Sequence, residues 1–415
     1  MKIAMIIWSL GPGGAQRQAL ELAINLKKLG HLVDVYCYAH DKNYCHKELC
    51  DSLTIFSVKN SDQINNKNTE FLNSNFPWWI KIFLRLYNAT KMVKEIFVVD
   101  PKVRGLQEFI KKQHPFNYYD VINIQDWIGK ISRTIHHPHI VWMMNDVQRA
   151  PYTKSFGFRH LIFNALQRIL AAKEIKNISR IVVLDKRNKV LCKSVYNRDS
   201  TIVRSGIDLK MFSGMPVCRN YTKPKLNILA SNAFWPHRRF EDLVDAIEIL
   251  VKKNINNFSV TINGDPRIFH WYYRFIQKRI IDKRLEKYIS INTSVLTENE
   301  LRKKYLDSDI FVFPNNEQTW GLSVFEAMLA GCACIVSNGS GAHEVLTNGK
   351  DSLIVNCCSP EEIASAIEAF LNDRDLMKKI SENGILFVKE NLSWKKYALQ
   401  METIFKEKFS NENLE

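Results

Sequence analysis

Residues 309–347 restrict the fold most, because they read as a strand, a helix and a second strand in direct succession. The run DIFVFP is short, apolar and rich in β-branched and aromatic residues, and Pro314 ends it, which predicts a buried parallel strand. The run GLSVFEAMLAG has apolar residues at helical spacing, and Gly331 suits its end. CACIVS is the next strand. Ligands of open parallel sheets bind beyond the carboxyl ends of the strands, so the segment Asn315–Ser323 is a predicted binding segment.

The helix inside this stretch begins at the predicted binding segment. Backbone N–H groups at a helix N-terminus favour an anion. We therefore expect the amides of Gly321, Leu322 and Ser323 to bind an anionic group. After the second strand, NGSGA is a glycine loop that leads into a short helix with Glu344.

The chain contains this kind of pattern in two halves. A length of 415 residues exceeds one ordinary core, and 46% hydrophobic with 24% charged residues is typical of a globular protein. Near the start, strand Lys2–Leu10, the turn GPGG, helix Ala15–Leu29 and strand His31–Tyr38 follow each other. A second series opens with the strand Leu226–Ala230. The alternation predicts an α/β protein with two parallel-sheet domains.

A glycine turn after the first strand is also typical of dinucleotide-binding dehydrogenases. Its G-x-G-x-x-G motif would need glycine at position 16, which is Gln16, and Tyr38 stands where an acidic residue should end the second strand. The dehydrogenase interpretation therefore fails.

The net charge of +15 favours anionic partners such as a nucleotide or a phospholipid surface. An Asn-, Lys- and Ile-rich genome would give the same excess, so the charge alone identifies no partner. No nucleic-acid-binding motif is recognisable, and we expect no nucleic-acid partner. The nine cysteines form no C-x-x-C pair, which indicates reduced thiols in a cytosolic protein and argues against a disulfide framework or a zinc ribbon.

Three stretches combine aromatic and basic residues: Phe76–Val99, Phe156–Ile178 and Arg267–Tyr288. The first resembles an interfacial membrane helix, but an ordinary domain helix with solvated lysines fits the same pattern. No run approaches the roughly 18–20 apolar residues of a membrane span. We expect a cytoplasmic protein, with peripheral contact to the inner face of the cytoplasmic membrane as the alternative that these stretches leave open.

Residues 309–347 resemble the signature of the retaining glycosyltransferases of family four, which have the GT-B fold. The matching residues are Phe313-Pro314, Trp320-Gly321-Leu322, Glu326-Ala327-Met328, Gly331, Gly341 and Glu344. The resemblance implies two Rossmann-like domains that face each other across a donor-binding cleft. It divides the chain into an acceptor domain (1–205), a nucleotide-sugar domain (206–392) and a C-terminal helix that crosses back (393–415).

The resemblance also assigns roles to residues. Glu326 would accept hydrogen bonds from the donor ribose, and Gly13 and Gly14 would let the backbone approach the donor phosphates and the acceptor. Counted back from Glu326, the first glutamate of the family pattern falls on Gln318, while Glu317 lies one residue upstream. Either residue is a candidate for holding the hydroxyls of the donor sugar.

Two positions depart from the family pattern. Asn145 and Asp146 stand where the family commonly has His-Asp near the sugar and the acceptor, and an asparagine can hold a hydroxyl but cannot take a proton. Ser231-Asn232 replaces Gly-Arg, so one basic residue of the phosphate clamp is missing. Arg238 or Arg239 keeps the other, since a guanidinium can bind a diphosphate through two hydrogen bonds.

The activity implied is retaining transfer of a sugar from a nucleotide-sugar, such as a UDP- or GDP-sugar, to a glycan or polyprenyl-linked saccharide of a bacterial capsule, O-antigen or lipopolysaccharide. We expect no cofactor and no metal, because the D-x-D triplet 307–309 joins a helix to a buried strand. Two alternatives remain. One is a non-catalytic scaffold or partner subunit, and the other is a sugar-nucleotide epimerase, because one fold supports several chemistries.

Overall fold

The computed structural model describes residues 1–11, 13–60, 99–147, 169–170, 172–213, 219–267, 269–294, 296–317 and 320–407. The chain divides into two compact units. Unit 1 runs to Gly206 and resumes at Trp394, and unit 2 is Ile207–Ser393. The sequence placed the division one residue earlier.

Unit 1 is built on a seven-stranded, entirely parallel sheet with the order β3-β2-β1-β4-β5-β6-β7. The strands are β1 (Lys2–Leu10), β2 (Leu32–His40), β3 (Ile55–Asn60), β4 (Val121–Gln125), β5 (Ile140–Met144), β6 (Arg180–Val183) and β7 (Thr201–Ile202). The central strands β4 and β5 are buried along their whole length, as expected for a parallel sheet covered on both faces.

Helices of unit 1 include α1 (Gly14–Lys28), α2 (Lys47–Asp51), α3 (Pro101–Gln113) and α4 (Lys186–Tyr196), with 3₁₀ turns at Phe116–Tyr118 and Asp126–Thr134. The C-terminal helix (Trp394–Lys406) also belongs to this unit. Two contacts fix it there: Gln18 Nε2 donates to the Tyr397 hydroxyl at 2.8 Å, and His31 Nε2 lies 2.7 Å from Glu402 Oε1.

Unit 2 is built on a six-stranded parallel sheet with the order β10-β9-β8-β11-β12-β13. Its strands are β8 (Leu226–Ser231), β9 (Phe258–Asn263), β10 (Ile289–Asn292), β11 (Ile310–Phe313), β12 (Ala333–Ser337) and β13 (Leu353–Val355). Its helices are α5 (Phe240–Lys252), α6 (His270–Asp282), α7 (Glu298–Asp307), α8 (Leu322–Leu329), α9 (Pro360–Asn372) and α10 (Arg374–Asn391), with 3₁₀ turns at Pro236–Arg238 and Gly341–Val345.

Local sequence explains where these helices begin and end. Thr297 and Glu300 form a reciprocal capping box at the start of α7. Ser359 caps α9, with Pro360 at its first position. Gly331 follows α8 with a left-handed φ of +83°, which glycine adopts at little cost. The strand-helix-strand prediction for residues 309–347 is confirmed, with β11, α8 and β12 in its places.

Each sheet has one topological switch point. In unit 1 the chain runs from β1 to β2 on one side and returns to β4 on the other, and in unit 2 β8 stands likewise between β9 and β11. The connections after such neighbouring strands diverge and leave a crevice at the carboxyl ends, where ligands of these sheets bind. The glycine turn follows β1, and the predicted binding segment follows β11.

Among the described residues, no helix combines the length and the apolar character needed to cross a membrane. The first basic aromatic stretch lies outside the described residues except for Val99, and so does most of the second.

Candidate active site

The crevice of unit 2 lies between the loop that follows β8 and the loop that follows β11, and hydrogen bonds join the two loops. The Asn316 N–H donates to the His237 carbonyl at 2.8 Å. Asn315 is buried, and its amide, oriented by its neighbours, accepts from Arg238 Nη1 at 3.0 Å and from Asn232 Nδ2 at 3.1 Å. It also donates to the Arg238 carbonyl at 3.2 Å. Arg238 is thereby held in the crevice.

Arg239 makes different contacts from Arg238. Its backbone is left-handed, with φ +54°, and it precedes the first residue of α5. Its guanidinium makes two bonds to Asp242, Nη2–Oδ1 at 2.6 Å and Nε–Oδ2 at 2.9 Å, and a third to Glu241 at 2.9 Å. The bonds to Asp242 raise the pKa of Arg239 above its usual value. Two carboxylates neutralise this charge, so the choice that the sequence left open favours Arg238 as the phosphate ligand.

Two glycines allow the loops of this crevice to pack closely. A Cβ added at Gly264 would lie 1.9 Å from the carbonyl oxygen of Asn232. One added at Gly339 would lie 2.8 Å from the Asn315 carbonyl and 2.9 Å from the Asn316 Cα. Real Cβ atoms do not approach backbone atoms so closely, and backbone cannot swing aside as a side chain can. Only glycine fits at these two positions without moving the residues that hold Arg238.

Helix α8 points its N-terminus out of the same loop. Gly321 precedes it with φ +77°, and no side chain caps the helix. The first-turn amides of Leu322 and Ser323 therefore lie where the sequence predicted an anion site. Glu317 has a left-handed φ of +55°, which marks a sharp bend. Gln318 lies outside the described residues, so the choice between these two stays a prediction.

Glu326 lies on α8 and is buried. The Tyr305 hydroxyl, on α7, donates to its Oε2 at 3.1 Å. Burial raises the pKa of Tyr305 well above its ordinary value, so the hydroxyl keeps its proton and remains a donor. Tyr305 thus orients the carboxylate that the sequence assigned to the ribose. Tyr305 had no signal in the sequence beyond an apolar position in a helix.

The D-x-D triplet has a structural role. Lys223 Nζ lies 2.9 Å from Asp309 Oδ1, and the Asn227 N–H donates to Oδ2 at 2.9 Å. Asp309 is buried and joins α7 to the start of β11.

At the carboxyl edge of unit 1, Asn145 follows β5 and is buried. Neither its amide oxygen nor its nitrogen has a hydrogen-bond partner among the described residues. Asp146 is exposed and lies 4.0 Å from Nη2 of Arg187 on α4. The Nε and Nη1 atoms of Arg187 are also buried without a partner in the described part of the chain. Buried polar groups are normally satisfied, so these atoms are candidates for ligand contacts.

The backbone around Asn145 is nevertheless well fixed. The Val147 N–H donates to Asn188 Oδ1 at 2.8 Å, and Asn188 Nδ2 donates to both oxygens of Asp185 at 3.0 and 2.9 Å. Sequence analysis did not single out Arg187, although an arginine in the first turn of a helix after a carboxyl strand end is a usable signal.

The glycine turn after β1 is uncrowded at Gly13. Its φ of −83° and ψ of 160° suit any residue, and an added Cβ would meet only the flexible side chain of Gln16 at 2.4 Å. Neither strain nor backbone packing requires a glycine here, and its role in ligand approach stays a prediction. Gly14 is the first residue of α1.

Comparison with known proteins agrees with this arrangement. The sequence model of the family "Glycosyl transferases group 1" matches residues 220–387, nearly all of unit 2. Residues 220–387 therefore resemble the group 1 glycosyl transferases. This match confirms the predicted resemblance to group 1 glycosyl transferases and the prediction of a glycosyltransferase enzyme, whereas retention of anomeric configuration stays a prediction.

Among its relatives, the chain is 20% identical to an uncharacterized glycosyltransferase of Methanocaldococcus jannaschii, with 98% of each chain covered. It is 24% identical to the UDP-Gal:alpha-D-GlcNAc-diphosphoundecaprenol alpha-1,3-galactosyltransferase of Escherichia coli, over 51% of this chain and 56% of that protein. Across the curated relatives, the covered share of their own length ranges from 25% to 98%.

The fold also matches a solved structure. Anabaena HepE in complex with UDP and glucose superposes with a TM-score of 0.69 at 14% identity, covering 97% of this chain and 98% of that one. The predicted α/β, GT-B fold class is confirmed.

Proposed function

We propose that this glycosyl transferase moves a hexose, with retention of anomeric configuration, from a nucleoside-diphosphate sugar to a saccharide carried on a polyprenyl diphosphate, in the synthesis of a bacterial surface polysaccharide. The observation that carries the proposal is the crevice of unit 2. There Arg238 is held by Asn315 next to the loop from which the uncapped N-terminus of α8 emerges. The guanidinium cation and the N-terminal amides of the helix can together bind the two phosphates of a nucleotide-sugar donor.

In the proposed reaction the bond between the anomeric carbon and the donor diphosphate breaks. An acceptor oxygen bonds that carbon from the same face, and its proton passes to the departing phosphate oxygen. The products are a nucleoside diphosphate and the lengthened saccharide. Negative charge grows on the leaving group, so preorganised donors aimed at it stabilise the transition state by several kcal/mol. Arg238 and the amides of Gly321, Leu322 and Ser323 supply these donors, and the transfer needs no metal.

The remaining donor contacts follow from the family resemblance. Glu326, oriented by Tyr305, accepts from the ribose hydroxyls. Glu317 or Gln318 holds the hydroxyls of the sugar. UDP is the first nucleotide to test, because the Escherichia coli relative is named for UDP-Gal.

On the acceptor side, we assign the unsatisfied amide of Asn145 to a sugar hydroxyl. Nε and Nη1 of Arg187 would bind an acceptor phosphate, because these two buried nitrogens have no hydrogen-bond partner among the described residues and an anion would satisfy them. An Asn145 that cannot take a proton fits same-face transfer, in which the leaving phosphate is the base.

The proposal also includes contact of the protein with a lipid surface. Helix α6 exposes Trp271 by 43% and Phe275 by 42%, next to Arg274 and Lys278. Aromatic and basic side chains on one exposed face suit an anionic interface. Flotation with anionic vesicles should fall when Trp271→Ser and Phe275→Ser are combined, but not with Leu386→Ser, another exposed apolar residue of unit 2.

The decisive experiment is a thermal-shift panel of the purified protein with UDP, GDP, ADP and CMP and their common sugars. A ligand at about a hundredfold its dissociation constant stabilises by about 2.7 kcal/mol. We expect a UDP-sugar to raise Tm in the wild type and to lose most of this effect in Arg238→Ala. If no nucleotide raises Tm, the scaffold alternative, which the Ser231-Asn232 and Asn145 departures support, replaces the enzyme proposal. Turnover of the nucleotide-sugar itself without an acceptor would favour an epimerase.

A further inference from the structure

A cluster of one histidine and two cysteines lies at the carboxyl end of β2. The proposed transfer reaction uses none of these three residues. His40 is the last residue of β2, Cys45 lies in the following loop and Cys50 lies on α2. One ligand atom of each, a ring nitrogen and two sulfurs, lies within 4.8 Å of both others. We call these three residues the His-Cys cluster.

The chain brings them together through three short elements. The ladders of β2 fix His40 opposite Leu10 of β1 and Asn60 of β3. Asp41 turns the chain, accepting from the Asn43 N–H at 3.0 Å and the Tyr44 N–H at 3.1 Å. The Cys50 N–H then donates to the His46 carbonyl at 3.0 Å inside α2. In sequence the three residues are evenly spaced, as H-x4-C-x4-C.

The buried histidine has a ring nitrogen to which no described residue makes a hydrogen bond. His40 is 7% exposed, and its Nε2 is buried without a hydrogen-bond partner among the described residues. Cys50 is 5% exposed and Cys45 is partly exposed. An unsatisfied buried nitrogen that shares a site with two sulfurs indicates a missing ligand.

We propose that the His-Cys cluster binds a thiophilic metal ion, Zn²⁺ in the first place, through His40, Cys45 and Cys50. Imidazole and thiolate are the ligands that zinc prefers. In a tetrahedral site with bonds of about 2.0–2.3 Å, ligand atoms lie about 3.3–3.8 Å apart, so separations within 4.8 Å require only small side-chain movements. The three protein ligands leave one coordination position for water or another ligand.

Metal binding would fix the loop between β2 and α2. This loop carries His46, whose Nε2 donates to the carbonyl oxygen of Gly13 at 3.2 Å. A bound ion would therefore hold the glycine turn after β1 as well as the two cysteines. This role is separate from the transfer chemistry proposed for unit 2.

The test uses the full chain, stripped of metal and kept reduced with a non-thiol, non-chelating reductant. Titration with Co²⁺ alone should produce a thiolate-to-cobalt charge-transfer band that saturates at one equivalent and disappears when Zn²⁺ is added. Zn²⁺ should also raise Tm. Cys45→Ser and Cys50→Ser should each weaken metal binding at least about tenfold, the lower end of what even outer-shell changes cost.

The matched control replaces a second pair of neighbouring cysteines, Cys357 and Cys358, by serine. This double variant should bind cobalt like the wild type. Cys45 is partly exposed, so its variant remains informative if Cys50→Ser fails to fold, and the wild-type titration needs no variant. No charge-transfer band in reduced protein, or a band that the control loses and Cys45→Ser keeps, would overturn the proposal.

Discussion

The buried polar side chains assigned to ligands in unit 2 each have at least one protein partner, whereas those of unit 1 include an amide without any partner among the described residues. Asn315 bonds Asn232 and Arg238, and Glu326 bonds Tyr305. At the carboxyl edge of unit 1, the amide of Asn145 and two nitrogens of Arg187 have no partner among the described residues.

The glycines of the two units also differ, in how closely backbone atoms approach them. Gly264 and Gly339 are required by backbone packing in unit 2, whereas Gly13 in unit 1 is uncrowded. A buried polar group without a partner costs about 1–3 kcal/mol. We infer that unit 2 is preorganised for its ligand, while unit 1 obtains part of its hydrogen bonding from the ligand.

The largest effect should come from Arg238→Ala. Loss of a preorganised donor to the leaving group should lower turnover about 10²–10³-fold, while urea unfolding changes by about 1 kcal/mol or less. Initial rates with a saturating acceptor provide the measurement. Wild-type turnover in this variant would remove Arg238 from the site.

Gly264→Ala should come next, because its Cβ would collide with the Asn232 carbonyl. We expect a loss of about 1–3 kcal/mol in the free energy of unfolding, together with weaker nucleotide binding. The control is Gly105→Ala in α3, where nothing lies within 4 Å; it should be neutral or stabilising by about 0.5–1 kcal/mol. Equal losses in both variants would contradict the packing argument.

Arg239→Ala should reverse the pattern of Arg238→Ala. Asp242 is buried and would lose its bidentate partner, so the free energy of unfolding should fall by about 1–3 kcal/mol. Turnover at a temperature where the variant is folded should stay close to wild type. A large loss of turnover in a stable variant would restore the twin-arginine clamp that the sequence suggested.

Asn145→Leu should change the stability in the opposite direction. Removing an unsatisfied buried amide should stabilise the unliganded protein by about 1 kcal/mol while transfer to the acceptor is impaired. Asn188→Leu, a buried asparagine of the same unit that has partners, should destabilise instead. Urea midpoints of the two variants compare them directly. Destabilisation by both would mean that Asn145 is satisfied in solution.

The sequence determined the fold and the placement of the unit 2 site. Strand and helix periods in residues 309–347, with glycines at the helix ends, predicted β11, α8 and β12 because these signals act over a few residues. It also placed the ligand edge, since the carboxyl ends of parallel strands always share one side of a sheet.

Only the tertiary structure distinguished Arg238 from Arg239, because their difference depends on which carboxylates lie within reach of each guanidinium. It also decided that Tyr305 faces Glu326, that Gly264 packs on Asn232, and that His40, Cys45 and Cys50 meet. Local sequence specifies backbone conformation, but the partner of a buried polar atom comes from another element. That choice is fixed only when the packed core brings the elements together.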